Sequence, residues 1–278
     1  VSLTYHGDGG RGCHCWGFER PMPDRCPKCG SPFIAPFGAG TQKLEEMTAK
    51  LFPEARILRM DADTTAKKGA HEAILQAFFE GEADILIGTQ MIVKGHDFPR
   101  VTLVGIMAAD LSLYAPDYKS AERTFQLLTQ ASGRAGRDEA PGDVVIQTYT
   151  PDHFAVAAAA SQDYLQFYRQ ELLYRQIMKY PPAVGLLTLQ LTSKNEGRLS
   201  RMTDALFKEL ERQFCFQGFT FIGPVNGTPY KVNDIYRKIL YIKHENYDIL
   251  IQARKSALAF AEGTGKDPAV ELSFCETR

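Results

Sequence analysis

Arg134 and Arg137, three residues apart in the run QLLTQASGRAGR from Gln126 to Arg137, are the side chains of this sequence best suited to phosphate chemistry. A guanidinium is planar and permanently charged. It can grip two phosphate oxygens at once and stabilise the charge that spreads over a transferring phosphoryl group. On a helix, that spacing would project both from neighbouring positions of one face. Gly133, Ala135 and Gly136 keep the surrounding surface small, so a ligand held elsewhere could reach the backbone.

A second run, GTQMIVKGHDFPRVTLVGIMAAD from Gly88 to Asp110, supplies complementary groups. Ala83 to Ile87 reads as a buried strand, with Gly88, Thr89 and Gln90 at its end, where amides and hydroxyls of open α/β sheets meet ligands. Lys94, Gly95, His96 and Asp97 then offer a cation, a permissive backbone and an acceptor before a further strand starts at Val101. Spacing alone fits two readings equally: a charged loop followed by a surface arginine pair, or a loop that grips a nucleotide and a nucleic-acid backbone together.

The two runs resemble motifs V and VI of superfamily 2 helicases. The wording VKGHDFPRVTLVGIMAADLSLYAPDYKSAERTFQLLTQASGRAGR is similar to the PriA family of bacterial primosomal helicases, also called primosomal protein N′. The likeness extends from the cysteine region to the C-terminal domain. It implies that Arg134 and Arg137 are arginine fingers of a second motor lobe, with Gln130 in the same motif. By the same likeness Thr89 and Lys94 lie near the nucleic-acid backbone, and Gly95 and Asp97 near the nucleotide. The implied activity is that of an ATP-dependent 3′ to 5′ DNA helicase, a cytoplasmic protein that recognises stalled or branched forks and initiates primosome assembly for replication restart. The implied partners are forked and single-stranded DNA, primosome proteins and the single-stranded-DNA-binding protein, with no membrane.

An ATPase also needs a G-x-x-x-x-G-K-[ST] loop and a magnesium-binding acidic motif, and neither is present. Gly263-Thr264-Gly265-Lys266 lacks the first glycine and runs into Asp267, so it reads as a surface turn. Gly38 to Lys43 reads as a loop entering a helix N-cap. In the family, the lobe that binds ATP and Mg2+ would precede Val1. The chain is therefore expected to be part of a longer protein and inactive as an ATPase alone. The alternative from a different class is a zinc-containing nucleic-acid-binding or scaffold protein without ATPase activity.

Six cysteines are present, four of them between positions 13 and 29. Close pairs without any mark of secretion favour metal over disulfide. Cys26-Pro27-Lys28-Cys29-Gly30 has the form of a zinc knuckle, its glycine relieving a tight turn. Cys13-His14-Cys15 has one intervening residue where the family has two, which leaves His14 or His6 as a substitute ligand for Cys15. The resemblance implies eight cysteines and two Zn2+ ions in the whole protein, with Cys13, Cys15, Cys26 and Cys29 as half of that set.

The remaining pattern places these groups on elements. The chain has 278 residues, 44% hydrophobic and 23% charged, with a formal net charge of −1. That is enough for about two domains, and it excludes an overall basic field, so any nucleic-acid surface must be local. No signal peptide or transmembrane segment stands out. Strands are predicted at 57–60, 84–88, 101–107 and 143–148, alternating with helices that carry Leu44, Met47 and Leu51, and then Ile74, Leu75, Phe78 and Phe79. That alternation predicts a parallel, RecA-like α/β lobe. Asp61 and Asp63 read as a solvated turn. One long helix is expected over 155–178, ended by Tyr180-Pro181-Pro182. Strand, helix, two strands, helix and strand after Gly185 predict a small α+β domain. In it, Gly223-Pro224, Lys231, Tyr236, Arg237 and Lys238 are expected to form a basic strip around a hairpin, which the resemblance turns into a DNA or partner contact. The expected domains are a partial zinc element at 1–34, the lobe at 35–150, a helical connector at 151–184 and the α+β domain at 185–278.

Overall fold

The structure is a computed structural model that describes residues 4–5, 10–13, 18–21, 25, 30–31, 40–93, 98–115, 117–136, 142–214, 216, 218–263 and 270–277. For residues 4–21 it describes the backbone alone, and the side chains of Thr228 and Glu276 lie outside it. Two compact units result: residues 1–34 with 172–278, and residues 35–171. The span 151–184, expected as one connector, is thus divided between them.

The first unit begins with three short antiparallel strands, β1 (Thr4–Tyr5), β2 (Gly10–Cys13) and β3 (Phe18–Pro21). Cys13 closes β2, and its side chain is outside the description, as are Cys15, Cys26 and Cys29 altogether.

The second unit opens with α1 (Thr41–Leu51), which packs on β4 (Ile57–Met60) and β5 (Ile85–Gly88). These strands pair in parallel, Met60 opposite Gly88. Between them runs α2 (Ala70–Glu80), whose Leu75 is buried. It ends because Gly81, at φ 84°, turns the chain left-handed while its amide and that of Glu82 return to Phe78 and Ala77. A second parallel pair, β6 (Leu103–Ile106) and β7 (Asp143–Ile146), flanks the short α3 (Asp110–Leu113) and α4 (Ser120–Ser132). Parallel pairing joined by helical crossovers is the α/β arrangement that the alternation predicts.

The helix expected over 155–178 is broken. It divides into α5 (Phe154–Ala160) and α6 (Tyr164–Ile177). Gln162 adopts φ 54°, its amide bonds Ala159 O at 3.1 Å, the Asp163 amide bonds Ala158 O at 2.9 Å, and the Asp163 carboxylate then accepts from Gln166 N. The stop is a Schellman turn built without glycine, which composition does not advertise. α5 and the start of α6 belong to the lobe, where Val156, Ala159 and Phe167 pack with Phe125 and Leu128.

The first unit resumes with β8 (Gly185–Ser193), α7 (Glu196–Phe214), β9 (Thr220–Val232), β10 (Ile235–His244), α8 (Tyr247–Glu262) and β11 (Glu271–Thr277). The four strands form one antiparallel sheet in the order β11-β8-β10-β9. α7 and α8 bury Leu199, Leu206, Leu210, Leu250 and Ala257 against Leu187, Leu189, Leu191, Leu240 and Ile242. Among the described residues no helix is long and apolar enough to cross a membrane.

Candidate nucleotide and nucleic-acid interface

Thr89 leaves β5 at the C-terminal end of the strand, exposed, and its carbonyl accepts the Ile92 amide at 3.1 Å to start a 3-10 turn over Gln90–Val93. Two features hold this exit in place. A Cβ on Gly88 would stand 2.6 Å from Met60 O and 2.7 Å from Ile92 Cγ2, so only glycine fits between strand and turn. Beyond it, Met91 and Ile92 pack with Met60, Phe98 and Val101 in a small apolar cluster. Lys94, Gly95, His96 and Asp97 lie outside the described residues.

α4 packs against that 3-10 turn and carries Gln130, exposed, in its last turn. The helix stops at Ser132, so Arg134 does not continue it. Gly133 N bonds Thr129 O at 3.0 Å and Arg134 N bonds Ala131 O at 3.0 Å, a closing turn. Gly136, at φ 70°, then sends its amide to Val101 O at 3.1 Å. Arg134 therefore sits half-buried in a tight turn moored to Val101, two residues before β6. Arg134 leaves the helical position expected of it because α4 ends at Ser132 with Gly133 as its C-cap, and the chain then turns through Gly136 at φ 70°. Arg137 itself is outside the described residues. Gly142 reinforces the mooring, since any side chain there would collide with the backbone of Ala135 and Gly136.

Two buried carboxylates hold the neighbouring strand exits, those of β4 and β7. Asp61, read as part of a solvated turn, is only 7% exposed. Its Oδ2 accepts from Thr41 Oγ1 at 2.6 Å and lies 3.3 Å from Arg59 Nε, and its Oδ1 accepts the amides of Asp63 and Thr64 at 3.1 and 2.9 Å. Burial pushes this carboxyl up, but the bonds from Thr41 and Thr64 with the Arg59 charge outweigh it and hold it below the usual carboxylate range. Asp110, 3% exposed, accepts from Thr148 Oγ1, Tyr149 N and Thr150 Oγ1 at 3.0–3.1 Å and so ties the exit of β7 to α3. Its carboxyl too stays ionised more readily than usual, the hydrogen bonds again overcoming desolvation. The signal for Asp110 was the Thr148-x-Thr150 alternation, which puts two hydroxyls on one side of a strand exit.

The expected basic strip of the α+β unit does not form one surface. Tyr236, Leu240 and Ile242 of β10 join the helix-covered core, so alternation puts Lys238 on their face and Arg237 on the opposite one. Arg237 lies close against Gly227, where β9 bulges. Lys231, opposite Tyr236, is engaged locally: Nζ lies 2.8 Å from Asp234 Oδ1 and 4.9 Å from the Tyr236 ring centroid. Among the described residues no group of three or more His, Cys, Asp or Glu side chains gathers for a metal.

The profile of the helicase conserved C-terminal domain matches residues 35–139, which contain Thr89, Gln130 and Arg134. The Replication restart protein PriA of Bacillus subtilis (strain 168) is 48% identical over 246 residues, covering 88% of this chain and 30% of that protein. The protein of the same name from Synechocystis sp. is 43% identical over 252 residues, 89% of this chain and 30% of its own length. That of Treponema pallidum is 37% identical over 259 residues, 93% and 39%. The chain thus spans well under half the length of these relatives. Likeness sustained through the lobe, the divided helix and the α+β unit alike places the chain in the PriA family of replication restart proteins.

Proposed function

We propose that this chain supplies the second motor lobe, part of a zinc element and the tail domain of an ATP-dependent 3′ to 5′ DNA helicase that acts at branched forks and begins primosome assembly. The packing of α4 on the 3-10 turn after Thr89 carries the reading, because it couples the exit proposed to touch the nucleic-acid backbone to the turn that holds Arg134. ATP with Mg2+, held with the preceding lobe, would supply the γ-phosphoryl group that passes to water as ADP leaves. Arg134 and Arg137 stabilise its developing charge, and Gln130 beside them orients polar contacts. Thr89 and Lys94 hold nucleic-acid phosphates, while Gly95 and Asp97 face the nucleotide. A shift of the arginine turn is passed through α4 to the Thr89 exit, so hydrolysis alters the grip on DNA.

Cys13, Cys15, Cys26 and Cys29 form half of a thiolate set whose chemistry suits Zn2+, with a histidine as the substitute at Cys15. Lys231, Arg237 and Lys238 meet DNA or a partner at separate faces of the tail sheet rather than as one strip. Primosome proteins and the single-stranded-DNA-binding protein are the proposed protein partners, and the cytoplasm the proposed location.

The test is fork-DNA-stimulated ATP hydrolysis by the full-length protein, wild type beside Arg134→Ala and Arg137→Ala. Loss of about 10³-fold or more in either variant with DNA binding retained is the expected result, the usual effect of removing an arginine finger. A wild-type protein without DNA-stimulated hydrolysis would replace this reading with the zinc-containing scaffold.

A further inference from the structure

Asp61 occupies a junction that the motor reading leaves unused. It belongs to neither helicase run, yet it is one of the most buried charged residues of the lobe. Its contacts join the start of α1 to the end of β4 and the turn that follows it. Thr41, 20 residues earlier, is the first residue of α1 and donates its hydroxyl to Oδ2. Gly40 before it supplies no side-chain cap, so the hold on this helix start comes from Asp61 instead. Arg59, on β4, lies between Asp61 and Glu45 of α1 at 3.3 and 3.5 Å. The turn over 61–65 closes on the same residue, with Asp61 N accepted by Thr64 Oγ1 at 2.9 Å and Asp61 O accepting Thr65 Oγ1 at 2.5 Å.

The neighbour of Asp61 links this junction to the candidate site. Met60, fully buried, pairs with Gly88, and its carbonyl fills the space where a Gly88 side chain would go. Thr89 follows directly. A shift in the β4 exit would therefore displace the β5 exit, because the contact between them has no slack.

We propose that Asp61 is a positioning residue for the nucleic-acid contact at the end of β5: it fixes the start of α1 and the exit of β4 against which Gly88 and Thr89 are seated. It acts through those residues and touches no ligand. The inference rests on the reading of this lobe as part of a DNA-stimulated motor.

The experiment measures ATP hydrolysis by the full-length protein against single-stranded DNA concentration, for wild type, Asp61→Asn, Thr41→Val, Thr41→Ser and the Asp61→Asn/Thr41→Val double variant, with a thermal melt of each. Asp61→Asn should raise the half-saturating DNA concentration about tenfold, the affinity equivalent of one lost charged hydrogen bond, while the rate at saturating DNA stays within about twofold. Thr41→Val should shift it in the same direction, Thr41→Ser should restore wild-type behaviour, and the double variant should be no worse than Asp61→Asn alone. If Asp61→Asn fails to fold, Thr41→Val carries the test, since it removes one hydrogen bond at a helix start. A lowered melting temperature with unchanged half-saturation, in an enzyme that DNA does stimulate, makes Asp61 merely structural and overturns the inference alone. A wild-type enzyme that DNA does not stimulate overturns the motor reading as well.

Discussion

The α+β unit and the helicase lobe use their apolar residues differently. In the first, thirteen buried residues among those described, from α7, α8 and the central strands, form one continuous core. In the second, burial is split between a cluster around Phe125 and α5 and a smaller one around Met60 and Phe98. One face of the β6–β7 pair leaves Leu103 and Val145 62% and 59% exposed, although parallel sheets are ordinarily covered on both faces. One unit gathers its buried residues into a single cluster, and the groups suited to chemistry lie at strand ends and tight turns of the other, between its two clusters of burial.

That contrast can be broken. Leu206→Ala, at a fully buried position of α7, should cost about 2–5 kcal/mol and lower the unfolding transition of the α+β unit. Chemical denaturation followed by two probes, one per unit, checks this. A loss shared equally by both units would deny their independence.

In the lobe the counterpart is a steric change. Gly88→Ala should destabilise by about 1–3 kcal/mol, because its methyl group must displace Met60 O and Ile92. Unlike Leu206→Ala, it should also weaken DNA binding by the full-length protein, measurable by fluorescence anisotropy. Intact binding would detach the β5 exit from function.

A smaller effect depends on pH. His153 caps α5 by accepting the Ala155 amide on Nδ1 at 3.2 Å, and burial pushes its pKa down. The unfolded chain then binds the proton more readily than the folded one. The stabilisation is complete above the unfolded value near 6.5 and is lost as pH falls from there through the folded pKa. The cap is worth about 1 kcal/mol. Melts at pH 7.5 and 5 should show the lobe losing stability, and His153→Asn, which keeps an acceptor, should flatten that dependence. The same melts should leave the α+β unit less affected.

The smallest effect is local to Asp84. Two hydrogen bonds from the Arg56 side chain and one from its amide hold the Asp84 carboxyl at about 2. A carboxyl-detected NMR titration should find it there in the wild type and in the ordinary range after Arg56→Gln, where only the amide remains.

How much of this was legible followed from the range of the interactions. α7, with apolar residues on one face, and β10, a run rich in apolar and aromatic residues, carry their burial locally, and both fall in the strand-helix-strand-strand order expected after Gly185. The division of α5 from α6 was hidden, because a left-handed Gln162 looks like any helix former. Asp61 and Asp110 were hard to read for another reason: Thr41 stands 20 residues from the one and Thr148 to Thr150 stand 38 to 40 from the other, and a pair of spaced threonines does not say which carboxylate it meets. Arg134 was singled out by its type and its spacing from Arg137. Its place in a turn after α4 was not legible, because that spacing takes no account of the glycines at 133 and 136.

The β9–β10 hairpin turns on two residues, Asn233 and Asp234, both left-handed at φ 48° and 63°. Such a tip accepts neither an added residue nor a β-branched one without changing its turn type. Three extra residues are absorbed instead on β9, where Tyr236 to Lys238 on β10 span Lys231 to Asn226 opposite. Length variation in this hairpin among relatives should therefore collect at the bulge around Gly227, leaving the tip as a fixed-length marker by which distant sequences can be aligned.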